Sequence, residues 1–181
     1  VFGGFNLMEF HGPGDVMVNP LRIEKEIIYE LEYNLILVYL GKRKHKNVID
    51  DQVSGYINQD KKVLDAMSHL KELAIEAKMA LLKGKLDEFG EIIHLAWTEK
   101  KRTSPTVSTE HIDYMYEEAR KLGAIGGKVS GAGGGGFMFL YCPFDKKQDV
   151  IEKLTQMGGI VSPFSFEFEG MTSWTWTTKE S

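Results

Sequence analysis

Lys128-Val129-Ser130-Gly131-Ala132-Gly133-Gly134-Gly135-Gly136-Phe137 places five glycines in six positions directly before the apolar run Phe137-Met138-Phe139-Leu140-Tyr141-Cys142. A glycine in an ordered element gives up about 0.5–1 kcal/mol relative to alanine, so a row of them needs a reason. Successive glycines reach positive φ and turn several N–H groups into one concavity, a nest that accepts phosphate or carboxylate oxygens. The flanks weigh against a flexible linker, because the run after the loop reads as a buried strand closed by Pro143. A ligand-contacting loop is the first reading, and a purely structural turn is the alternative.

Three known patterns overlap the run. Gly131-Ala132-Gly133-Gly134-Gly135-Gly136 satisfies G-x-G-x-x-G, but a dinucleotide site needs a helix opening at the third glycine, and here a strand follows. A P-loop needs Gly-Lys-Ser/Thr at its end, and Gly136 precedes Phe137. The echo of an aromatic RNA-binding strand in Gly136-Phe137-Met138-Phe139 would want a basic surface. The chain is net acidic, at −4, which excludes bulk nucleic-acid binding and attraction to an anionic membrane as expected partnerships.

The 181 residues, with 43% hydrophobic and 27% charged side chains, describe one ordinary globular domain. Basic residues nevertheless cluster in Lys42-Arg43-Lys44-His45-Lys46 and Lys100-Lys101-Arg102, two cationic runs suited to a compact anionic ligand or to a solvated surface. Cys142 is the single cysteine, so no internal disulfide can form; a reducing, cytoplasmic location is expected, and the thiol reads as packed. No apolar stretch is long enough to span a bilayer. The start at Val1, inside strand-like sequence, is read as a cut edge of a longer polypeptide.

Residues 1–40 read as β-rich. Phe5 to Phe10, a turn at Gly12-Pro13-Gly14-Asp15, Val16 to Ile23, and the apolar run Leu35 to Leu40 supply the strands. Val63, Met67, Leu70, Ala74, Ala77 and Leu81 then repeat at helical spacing up to Gly84. Leu86, Phe89, Ile93 and Trp97 continue as a second helix running into Lys100, and Ile112, Met115, Tyr116, Ala119 and Leu122 form a third, capped by Ser108 or Thr109. Asp145 to Met157 has helix character, and Phe164, Phe166 and Phe168 alternate with polar residues as a half-buried strand expects. The order predicts an α+β fold with an antiparallel or mixed sheet and four or five helices.

The five histidines are scattered without metal-ligand spacing and read as surface or capping residues; Asp50-Asp51 reads as a solvated helix face. No residue is assigned as a metal ligand.

Glu118 to Phe137, including Leu122-Gly123-Ala124-Ile125-Gly126-Gly127-Lys128-Val129-Ser130-Gly131-Ala132-Gly133-Gly134-Gly135-Gly136, resembles the third signature motif of the GHMP small-molecule kinases. It is most similar to the branch that contains heptose phosphate kinases and L-fucokinases. Phe2-Gly3-Gly4-Phe5-Asn6, Leu40-Gly41-Lys42-Arg43, and His94 to Lys101 followed by Ile112-Asp113 agree with that branch, so the similarity covers nearly the whole chain.

The resemblance implies that residues 1–181 are the C-terminal domain of an ATP-dependent sugar kinase, a ferredoxin-like two-layer sandwich preceded by the β-rich segment. The family's ATP-binding loop and its acidic residue would lie in an N-terminal domain upstream of Val1, so the 181 residues alone are expected to be inactive and no catalytic residue is assigned within them. The implied acceptor is a sugar or sugar phosphate, most closely D-glycero-D-manno-heptose 7-phosphate at its anomeric hydroxyl, with ATP and Mg²⁺ used by the complete enzyme. Phosphoryl transfer rests on positioning and electrostatics. Ser130, Gly131, Ala132, Gly133, Gly134 and Gly135 are accordingly expected to bring N–H groups to the phosphoryl end, with Arg43, Lys100 and Lys101 adding charge. The reading from a different class is a non-catalytic α+β regulatory module whose glycine loop binds an anionic metabolite.

Overall fold

The computed structural model describes residues 2–42 and 47–176. A hairpin of β1 (Asn6–Gly12) and β2 (Asp15–Pro20) leads to helix α1 (Lys25–Asn34) and strand β3 (Leu35–Tyr39). Four helices follow: α2 (Val48–Ile57), α3 (Lys61–Leu82), α4 (Leu86–Arg102) and α5 (Glu110–Lys121). The chain closes with β4 (Gly126–Val129), β5 (Phe137–Tyr141), α6 (Phe144–Gln156) and β6 (Ile160–Val161).

The main sheet has the order β4-β5-β3-β6, and each neighbouring pair is antiparallel. Strand, helical crossover, hairpin, helix and strand in that order form the ferredoxin-like split βαβ. The fold is thus α+β with antiparallel sheets, as expected from the sequence.

Side chains alternate between the two faces of the sheet. Ile36, Val38, Val129, Met138 and Leu140 join Ile112, Met115 and Ala119 of α5 and Val150 and Leu154 of α6 in one core, together with Trp97. Leu35 and Tyr141 point the other way, to Leu31, Leu81 and Leu86 and to Phe5, Phe164 and Phe166. With both faces covered, β3 and β5 carry continuous apolar sequence rather than alternation. Helix α4 lies against β4 so closely that a Cβ on Gly126 would come within 1.9 Å of the Gly90 carbonyl oxygen. Gly126, in the lead-in to the glycine run, is therefore there for packing.

Three expectations need correction. The described residues hold six helices rather than four or five. Helix α1 interrupts the stretch read as β-rich, because Ile27 and Leu31, one helical turn apart, pack into the second core. Helix α2 contains the Asp50-Asp51 pair and buries only Val48; its apolar residues at helical spacing, Ile49, Val53, Tyr56 and Ile57, are exposed. The tail was expected to be a half-buried strand, but only Ile160–Val161 pairs with the sheet. Beyond it, Phe166 N–H donates to the Glu32 carboxylate at 2.8 Å and Phe164 and Phe166 pack on the core without a ladder.

Candidate functional site

Strand β4 delivers the chain to the glycine loop, and Ser130 N–H closes the hairpin neck on the Phe137 carbonyl at 2.8 Å. Gly131, Gly133, Gly134, Gly135 and Gly136 all have positive φ, from 69° to 143°. Side chains rarely adopt that region, so the glycines are required by the backbone path itself.

Not every amide of the loop faces outward. Gly134 N–H donates to the Val107 carbonyl at 2.7 Å and Gly136 N–H to the Gly41 carbonyl at 2.8 Å. Among the described residues, no partner takes the N–H groups of Gly131, Ala132, Gly133 or Gly135, and of these four residues only Gly131 and Ala132 are not buried. The part of the loop open to an anion is therefore its leading edge, Ser130 to Ala132. Gly133 has a different task. A Cβ there would meet the Val107 carbonyl oxygen at 2.5 Å.

The basic run at the end of α4 divides. Lys100 reaches the loop and donates to the Gly131 carbonyl. Lys101 turns away, pairing with Asp113 at 3.0 Å and lying 5.9 Å from the centre of the Trp97 ring. Ser108 Oγ donates to the same Asp113 oxygen at 3.0 Å. Arg102 pairs with Glu99 at 2.5 Å. All three cations also stand at the helix C-terminus, where they complement its dipole. Arg43, assigned to the site from the sequence, lies outside the described residues.

Residues 103–108 form the wall behind the loop, and sequence reasoning passed over them. Asp51 of α2 accepts from Ser104 Oγ at 3.0 Å and from Thr106 Oγ1 at 2.7 Å. Gln52 donates to Thr103 Oγ1 at 2.7 Å. Together these bonds fix Val107, whose side chain is buried and whose carbonyl holds Gly134. The run Thr103-Ser104-Pro105-Thr106-Val107-Ser108-Thr109, dense in hydroxyls, was the available signal; only its last two residues were read, as caps, and Thr109 does cap α5 by accepting from Ile112 N–H at 3.2 Å.

His94, read as a surface residue, instead faces Tyr116: Nδ1 and the phenol oxygen are 2.9 Å apart and the rings stack. Burial, then the nearby Arg120 charge, holds the imidazole below its ordinary value, and burial pushes the Tyr116 phenol up. The neutral imidazole and the phenol share this hydrogen bond, with the donor set by the imidazole tautomer. Cys142 is buried and its thiol is pushed up to about 11 by burial, which makes it an inert packed group. Among the described residues there is no group of three or more His, Cys, Asp or Glu side chains that could hold a metal ion. No helix among them is long and apolar enough to cross a membrane.

Residues 77–160, from the second half of α3 to the start of β6, match the family model described as GHMP kinases C terminal. This chain carries a GHMP kinase C-terminal domain. The chain is 39% identical over 173 residues to the D-glycero-alpha-D-manno-heptose 7-phosphate kinase of Campylobacter jejuni, covering 96% of this chain and 51% of that protein. It is 31% identical over 146 residues to a bifunctional fucokinase/GDP-fucose pyrophosphorylase of Arabidopsis thaliana, covering 80% of this chain and 14% of that protein. Among solved structures, a D-glycero-D-manno-heptose 1-phosphate kinase from Bacteroides thetaiotaomicron superposes with TM-score 0.68 at 31% identity, over 98% of this chain and 47% of that one. The mevalonate kinase of L. major, at 21% identity and TM-score 0.70 over 86% of this chain and 45% of that one, shares the fold. The chain thus spans about half, or less, of the length of the proteins it matches.

Proposed function

We propose that this chain is the C-terminal part of an ATP-dependent sugar kinase whose acceptor is D-glycero-D-manno-heptose 7-phosphate, phosphorylated at the anomeric hydroxyl. The observation that carries the reading is the 39% identity to a heptose 7-phosphate kinase along nearly the whole chain. The geometry supports it: the open N–H groups of Gly131 and Ala132 and the ammonium of Lys100 gather at one edge of a rigid loop, which suits oxygens that gain negative charge during phosphoryl transfer. These residues fit the phosphoryl groups of ATP or of the sugar phosphate. ATP would supply the transferred phosphoryl group, and the role of this chain is to hold anionic oxygens in place.

The remaining half of the active polypeptide packs, in this reading, on the β1–β2 hairpin. That two-stranded sheet leaves Phe10 73% and Met17 52% exposed, an unusual amount of apolar surface for an isolated hairpin. The 181 residues by themselves are then inactive.

A neutral acceptor of the fucose type is the second reading, favoured by the Lys101–Asp113 pair, which leaves Lys101 with its charge already matched. Kinetics of the longer polypeptide separate the two. If the acceptor carries a phosphate, Arg43→Met raises its KM by about one to two orders of magnitude, the worth of a bond to a charged group, while the KM for ATP barely moves. Lys101→Met, whose charge Asp113 already matches, serves as the control, and an unchanged KM in Arg43→Met favours the neutral sugar.

A further inference from the structure

Behind the glycine loop, on the face of β4 that carries Lys128, a groove of about 300 Å³ runs between the α3–α4 hairpin and β1. Its walls are mostly apolar, with Phe5, Leu73, Ala77, Ile92 and Ile93 among the lining residues. Two charged side chains line it, Lys78 and Lys128, and no acidic one does. Among the described residues, no carboxylate and no hydrogen-bond acceptor reaches the Lys128 ammonium. Burial alone acts on it, and holds its proton affinity below that of an ordinary lysine.

A half-buried cation without a partner is an unfavourable arrangement, because the groove removes water from the ammonium and returns nothing. An occupant that brings a negative charge reverses that. The walls ask for something apolar behind the charge, and the volume lies at the small end of ligand sites. We propose that this groove binds a small amphiphilic anion, its carboxylate on Lys128 and its alkyl chain along Leu73, Ala77 and Ile92. The occupant would sit two residues from Ser130, at the back of the strand that carries the glycine loop. The proposal does not depend on the kinase reading.

Titration calorimetry of the 181-residue chain with sodium octanoate tests it, with 1-octanol as the neutral probe. Octanoate is expected to bind at one site, and Lys128→Met to weaken it about ten- to hundredfold while leaving octanol unaffected. Lys128→Arg should keep most of the affinity. Lys128→Gln repeats the measurement should the methionine variant melt early, with the same loss expected. Ala77→Phe, which fills the slot, should remove binding of both probes. No octanoate binding to the wild-type chain overturns the proposal. So does equal affinity in the Met or Gln variants, even if Ala77→Phe abolishes it, because the groove would then be indifferent to charge.

Discussion

Gly134 donates its backbone N–H to the carbonyl of Val107 at 2.7 Å. That bond joins the glycine loop to residues 103–108, and the carboxylate of Asp51 holds the latter through Ser104 and Thr106. The shape of the loop therefore depends on a helix about 80 residues away in sequence. Asp51→Ala strips two hydroxyls of a charged acceptor and should destabilise the fold by about 1–3 kcal/mol. Amide hydrogen exchange gives the sharper readout: Gly134 should lose protection well before the core amides of β5. Unaltered Gly134 protection in the variant would mean that Asp51 does not brace the loop.

Gly133 and Gly136 separate backbone strain from steric contact. Both have positive φ, at 113° and 86°, so alanine is strained at either. Only at position 133 does the new Cβ meet a fixed atom, the Val107 oxygen at 2.5 Å; around Gly136 nothing lies within 4 Å. Thermal melting should rank Gly133→Ala below Gly136→Ala, with the first losing about 1–3 kcal/mol more than the second. Equal losses would show that the Val107 wall gives way.

The burial of His94, with the Arg120 charge nearby, makes stability depend on acidity. The folded protein holds the imidazole below 6.5, so the folded state binds this proton less readily than the unfolded chain does. Stability should be complete above about pH 6.5 and fall as the pH drops through the lowered value. Urea midpoints at pH 7.5 and 5.5 check this, and His94→Gln, which cannot take the proton, should shrink the difference. A difference of the same size in the variant would assign the acid sensitivity elsewhere.

Much of the fold was legible because its signals are local. Helices α3, α4 and α5 announce themselves by apolar spacing, and β5 by an unbroken apolar run after five glycines. Helix α1 was hidden because Ile27 and Leu31 stand between strand-like runs, and in α2 only the Asp50-Asp51 pair was read, not the helical spacing of Ile49, Val53, Tyr56 and Ile57. The Phe164-Phe166-Phe168 alternation misled: past Val161 the tail makes isolated backbone bonds, Ser162 N–H to the Leu37 carbonyl and Gly4 N–H to the Glu167 carbonyl, and no continuous ladder. At the site, the glycine loop was plain, but which of its amides remain open was not. That depends on Val107 and Gly41, and on an Asp51 brace spanning 53 and 55 residues, none of which leaves a periodic trace. Lys101 looked like a free cation because its partner Asp113 comes from the next helix.

We propose phosphoryl transfer to a heptose phosphate by a polypeptide that joins this chain to an ATP-binding half. Incubating that polypeptide with γ-labelled ATP and Mg²⁺, separately with D-glycero-D-manno-heptose 7-phosphate, L-fucose and mevalonate, tests it directly, with ³¹P NMR locating the new ester. The account predicts label on the anomeric oxygen of the heptose 7-phosphate, at a kcat/KM at least about a hundredfold above either other acceptor, a difference of about 2.7 kcal/mol in transition-state binding. Preferential labelling of fucose or mevalonate, or ATP left intact with every acceptor, would contradict it.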